Sequence, residues 1–166
     1  NWDNELFQVL KETKSASTNK ERDQILLDWI NSFGEIKKNK TKDTADDAYL
    51  KPHHKWITTE INSAELQNKL LEIYENRISS SKMHYVDYAS KSVKNPAFLN
   101  EEAYENIPYP DTGIRLVGLF RYWNIIHYFY PYKDIIDKNW NSILSEYIPQ
   151  FVETKSELEY EKVFLK

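Results

Sequence analysis

The chain has 166 residues, a net charge of −4 and no cysteine. A chain of this length can bury a core of its own, because roughly 70% of the unfolded surface is lost on folding near this size. The acidic balance argues against sequence-independent nucleic-acid binding, which needs a clustered basic surface. The absence of thiols excludes disulfides and Cys-based zinc sites, and no apolar run approaches the ~20 residues of a membrane span.

Two helices are predicted at the start of the chain. Residues 3–13 have the apolar spacing of a short helix. Thr18 and Glu21 are spaced as a capping box, which predicts a second helix, and Asp23 adds an acidic group to its early turns. This helix is predicted to stop at Gly34, since the residue after a helix often needs a positive φ.

A long loop is predicted next, over the polar residues 35–55. Its basic run at 37–42 is followed by acidic residues, which is typical of a solvated loop. A second capping box at 62–65 predicts a helix to about Ile78, and three serines, Ser79–Ser81, are predicted to break it.

Residues 84–88 give the clearest strand signal, since β-branched and aromatic residues partly alternate there. The partner of this strand stays open: the loop region, chain outside this sequence, or none. Three prolines predict irregular structure over 90–112, apart from a turn of helix near 100–104.

The strongest pattern is the aromatic-rich helix predicted over 113–130. One arc of it holds Leu116, Leu119, Phe120, Trp123, Ile126, His127 and Tyr130. The opposite half mixes Val117, Tyr122, Ile125, Tyr128 and Phe129 with Arg115, Arg121 and Asn124. Because a helix that is apolar nearly all round is buried on two sides, the second side is the candidate interface, with Tyr122, Ile125, Tyr128 and Phe129 as its residues.

Two more helices are predicted after Pro131, which ends the aromatic helix. Asp137 is the predicted cap of the first, and Pro149 is expected to kink or split it. A capping box at 156–159 opens the last helix. The chain stops at Lys166 without a stop signal, so we expect a truncated domain.

No catalytic or metal-binding residue is predicted, and no cofactor. None of the serines neighbours a glycine, as a nucleophile on a tight turn usually does. His53 and His54 are adjacent, so their side chains diverge, and His127 on an apolar arc is more typical of a core residue than of a ligand. The aromatic residues also allow a carbohydrate-binding platform, although helical spacing favours core plus interface.

The block GIRLVGLFRYWNIIHYFYPYKDIID at 113–137 resembles a block of bacterial peptidases of the C-terminal-processing (tail-specific) and tricorn-core family. The same likeness extends to SAELQNKLLEIYENR at 63–77, HYVDY and NPAFLNEEAY within 84–104, and NWNSILSEYIPQF and ELEYE within 139–161. It covers roughly residues 20–166. Its most specific element is Trp123-Asn124 followed by YFYPYK at 128–133.

This resemblance implies the non-catalytic N-terminal part of an exported serine peptidase, located in the periplasm or cell envelope. In the family this block precedes PDZ and catalytic segments, where a Ser acts with a Lys, or with His, Ser and Glu in tricorn-like members. No catalytic residue of the family falls on this chain. The implied partners are the downstream PDZ and catalytic domains, polypeptide substrates and another copy of the chain, with no nucleic acid and no membrane span.

The predicted fold is mostly α: an irregular multi-helix bundle with one short strand or hairpin and long loops. We expect one helical domain over 1–166, with a helical leader at 1–34, a loop region at 35–62 and the main helical block at 63–166. The alternative function is a stand-alone helical module that binds proteins or peptides.

Overall fold

The computed structural model describes residues 2–39, 47, 53–78, 83–90, 92–93 and 95–166. Within these residues the chain is mostly helical, with seven α-helices and one two-stranded antiparallel hairpin. The predicted mostly α fold with a short strand or hairpin is confirmed. Most of the predicted 35–55 loop, with its basic run, and the predicted break at Ser79–Ser81 lie outside the described residues.

The chain divides into two compact units, 1–99 and 100–166. The first contains helices α1 (Trp2–Ser15), α2 (Asn19–Ser32), α3 (Trp56–Thr59) and α4 (Ala64–Glu75), and strands β1 (Val86–Tyr88) and β2 (Pro96–Phe98). The second contains α5 (Thr112–Phe129), a 3-10 turn (Lys133–Ile135), α6 (Trp140–Glu153) and α7 (Glu157–Phe164).

The predicted cap of α2 forms in the first unit, and the cap of α4 lies one residue later than the box predicted at 62–65. Thr18 Oγ1 accepts from the amide of Glu21 at 3.1 Å, and the Glu21 carboxylate accepts from the amide of Ser17 at 2.7 Å. Gly34 has a φ of +87°, as its predicted stop position requires. Ser63 caps α4 by accepting from the amide of Leu66. These caps satisfy amides that the first helical turn leaves without a partner.

Asp23 is not a solvated charge of an early helix turn, because its side chain is fully buried. Its Oδ2 accepts from the amides of Asn62 and Ser63 at 2.9 and 2.8 Å, and its Oδ1 accepts from the Arg22 guanidinium at 2.6 Å. Burial alone raises the pKa of Asp23, but the hydrogen bonds from Arg22, Ser63 and Asn62 and the charge of Arg22 outweigh it and lower the pKa. Asp23 therefore joins α2 to the start of α4.

The hairpin supplies the partner that the sequence left open. Val86 pairs with Phe98 and Tyr88 with Pro96, so a proline in the stretch predicted to be irregular begins a strand. Proline is accepted there because it is the first residue of the strand, where a missing amide disturbs the ladder least. The predicted helical turn at 100–104 is wrong, since Asn100 and Tyr104 have φ values of +57° and +53°.

The second unit corrects the predicted cap of α6. Asn139, not Asp137, is the cap, and its side chain accepts from the amide of Asn141 at 3.0 Å. Both residue types cap helices well, and the 3-10 turn before them delays the helix start. Pro149 does not split α6, which is continuous to Glu153, because Ile148 and Phe151 pack in the same core on either side of it.

The core of the second unit lies where α5, α6 and α7 meet. Its buried residues are Leu119, Phe151 and Val163, and around them pack Leu116, Phe120, Leu144, Tyr147, Ile148 and Tyr160. The Phe151 ring meets Phe164 edge-on, with centroids 4.9 Å apart. Ser156 caps α7 as predicted, accepting from the amide of Glu159. One side of α5 is therefore held by two other helices of its own unit.

Candidate functional site

Helix α5 carries the candidate surface, and its position is fixed at both ends. Asp111 caps it by accepting from the amide of Ile114 at 3.0 Å, and Pro131 follows its last residues. In the part of the chain that the structure describes, no helix is long and apolar enough to cross a bilayer.

Arg115 anchors the start of α5 to the end of α6. The sequence placed Arg115 on the mixed half of the helix, but its side chain is buried. Its guanidinium donates to the carbonyl oxygens of Phe151, Pro110 and Val152 at 3.0, 2.7 and 3.3 Å, and to Thr112 Oγ1 at 3.0 Å. A helix C-terminus is the negative end of its dipole and presents carbonyls without intrahelical donors, which suits a buried cation.

A stack of three parallel rings fixes the other end of the α5–α6 contact. The Trp123 ring lies 4.4 Å from His127 and 6.3 Å from Trp140, with interplanar angles of 14° and 13°. Trp123 Nε1 donates to the Trp140 carbonyl at 3.1 Å, and Lys133 Nζ donates to the His127 carbonyl at 2.7 Å. His127 is buried within this contact, which agrees with a core role and not with an accessible catalytic base.

The opposite side of α5 presents large apolar residues to solvent. Tyr122 is 54% exposed and Phe129, one heptad later on the same face, is 40% exposed; Ile125 lies between them and is half-buried. Tyr128 is also exposed. The structure thus brings the four predicted interface residues onto adjoining parts of one helix side. Whether another protein covers them stays a prediction.

Helix α7 lies at the border between the engaged side of α5 and this exposed side. At Gly118, one turn before Tyr122, an added Cβ would lie 3.4 Å from the Phe164 ring and 3.6 Å from the Tyr160 hydroxyl, at ordinary contact distance. The exposed residues continue the α7 contact toward the end of α5.

The exposed surface extends past the helix into the turn that follows. Tyr130, Tyr132 and Ile135 are exposed, with Ile135 at 78%, and the Tyr130 and Tyr132 rings meet edge-on at 5.9 Å. We call the exposed residues of this stretch the aromatic surface; they are Tyr122, Tyr128, Phe129, Tyr130, Tyr132 and Ile135. Scattered exposed apolar residues are ordinary, whereas six of them within the fourteen positions 122–135 make this stretch the candidate contact site.

The aromatic surface has no charged residue from Tyr122 to Tyr132, whereas Lys133 and Asp134 lie between Tyr132 and Ile135. Partial burial raises the pKa of the Tyr128 hydroxyl, so that it stays neutral at physiological pH. Arg121, just before it, is paired with Glu101 at 3.1 Å and donates to the Glu102 carbonyl. The run from Tyr122 to Tyr132 favours contact with an uncharged surface, because it has no cationic side chain that could bind a polyanion.

The described residues contain no group of three or more His, Asp or Glu side chains placed to hold a metal ion. His54 stacks on Tyr74 with ring centroids 4.2 Å apart. Trp29, Trp123 and Trp140 are half-buried, and the indole nitrogens of Trp29 and Trp140 are enclosed. A carbohydrate platform built on these three residues is therefore disfavoured.

Comparison of the chain with protein-family models, with curated proteins and with solved structures gave no significant match.

Sequence reasoning missed the two buried ionic side chains, Asp23 and Arg115. Their partners lie 39 and 36 residues away in the chain, at Asn62 and Phe151, so helix spacing gave no sign of them. It also missed the exposed turn after α5. The uncharged run from Tyr122 to Tyr132, which continues beyond the helix stop at Pro131, is the signal that points to it.

Proposed function

We propose that this chain is the non-catalytic helical N-terminal part of an exported serine peptidase that hydrolyses peptide bonds in polypeptides. In this proposal the aromatic surface is its protein contact, either with the PDZ and catalytic parts of the same polypeptide or with another copy. The single observation that carries the contact role is the exposed face of α5 around Tyr122 and Phe129.

Two lines of support meet on α5. The peptidase resemblance is most specific over 123–133, and this stretch contains or borders every residue of the aromatic surface except Ile135. Residues on the other side of the helix, such as Arg115 and Trp123, are engaged within the unit. A helix with one engaged side and one exposed apolar side is typical of a part that docks on a further partner.

The peptidase proposal is tested on the complete polypeptide encoded by the open reading frame. We expect a PDZ segment and a serine-bearing catalytic segment after Lys166, hydrolysis of an unstructured polypeptide by the whole protein, and none by the 166-residue chain. We expect Tyr122→Lys in the whole protein to lower hydrolysis several-fold, and Leu158→Lys, an exposed apolar position on α7, to leave it unchanged. An open reading frame without a hydrolase segment contradicts the assignment.

Export to the periplasm or cell envelope is part of the same proposal, and it predicts a cleavable leader in the open reading frame and recovery of the protein outside the cytoplasm on fractionation. The second candidate function is a stand-alone helical module that binds proteins. The aromatic surface favours this second candidate, because an exposed apolar surface can bind a protein whether or not a hydrolase segment is present. Loss of a bound protein partner on Tyr122→Lys, from a polypeptide without peptidase activity, supports this second candidate.

A further inference from the structure

We draw no further inference here: the strongest candidate, the exposed apolar surface patch of α5 around Tyr122 and Phe129, carries none, because nothing in the described part of the chain shows what covers it.

Discussion

The two sides of α5 differ in what holds them. One side is fixed by α6 and α7 through the Arg115 guanidinium, the Leu119 core and the Trp123 stack. The other presents Tyr122 and Phe129 to solvent. Both sides contain large apolar residues, so the presence of such residues alone does not distinguish a core from a contact surface. Substitutions on the first side should change the free energy of unfolding, and those on the second should change association only.

The largest expected effect is on the engaged side, at Phe151. Phe151→Ala removes a buried ring that meets Phe164 and Tyr160 and leaves a cavity. We expect a loss of about 3–5 kcal/mol in the free energy of unfolding, measured by urea denaturation. Val152→Ala, at the exposed neighbouring position, should cost less than about 1 kcal/mol. Equal effects of the two substitutions would show that the engaged side is not the core.

Arg115→Met should cost about 2–4 kcal/mol, because it leaves the carbonyls of Pro110, Phe151 and Val152 without their donor. The matched control is Arg121→Met. That guanidinium pairs with Glu101 near the surface, where an ion pair contributes little, so a change below about 1 kcal/mol is expected. A cost for Arg121→Met as large as that for Arg115→Met would contradict the anchoring role of Arg115.

A substitution in the first unit, 1–99, should lower the free energy of unfolding without changing association. It therefore serves as a reference for the substitutions on the two sides of α5. Asp23→Asn removes the charge that holds Arg22 and weakens the bonds from Asn62 and Ser63. We expect a cost of about 1–3 kcal/mol at pH 7, measured by urea denaturation. Asp28→Asn, at an exposed position of α2, is the control and should have little effect.

The loss of unfolding free energy caused by Asp23→Asn should be larger at neutral pH than at acidic pH. The pKa of Asp23 is lower in the folded chain than in the unfolded chain, so the unfolded state binds more protons and stability rises with pH. The contribution is complete above the unfolded pKa, near 4, and is lost as pH falls through the folded pKa. The stabilities of the unmodified chain and of Asp23→Asn should therefore converge below about pH 4. If the difference in unfolding free energy between the two chains stays constant down to pH 2, ionisation of the Asp23 carboxylate is not its cause.

The smallest expected effect is at Gly118, where the engaged side passes into the exposed one. Alanine gains about 1 kcal/mol of helix propensity over glycine, and its Cβ would make an ordinary contact of 3.4 Å with Phe164. We expect Gly118→Ala to stabilise the chain by about 0.5–1 kcal/mol, seen as a higher urea midpoint. A clear loss of stability would mean that α7 packs on α5 more tightly than these distances allow.

Local signals in the sequence predicted the helices and most of their starts. The caps at Thr18 and Ser156 formed as expected because a cap depends on only four neighbouring residues. The cap of α4, Ser63, lies one residue after the start of the box predicted at 62–65. The Asp137 cap was wrong because Asn139, two residues on, caps equally well. The local sequence does not show which of two nearby polar residues, Asp137 or Asn139, caps the helix.

Contacts between residues that are far apart in the sequence could not be predicted from local sequence patterns. The strand at 96–98, which pairs with β1, was not predicted because it begins with a proline, a residue typical of loops. Arg115 and Val117 were placed on the mixed half of α5, yet both are buried, and the donors and acceptors around Arg115 come from the end of α6. The candidate surface residues were correctly placed on one side of a helix, but the pattern did not say which side its own unit would cover.

The most direct test of the contact role is urea denaturation of the unmodified chain and of Tyr122→Lys, each at 1 and 100 µM. When the folded state associates, its apparent stability rises with protein concentration. We expect the midpoint of the unmodified chain to rise between the two concentrations, and that of Tyr122→Lys to stay the same while matching the unmodified chain at 1 µM. A midpoint independent of concentration in the unmodified chain would exclude another copy as the partner. A Tyr122→Lys chain that is destabilised at 1 µM would contradict the division of α5 into a core side and a contact side.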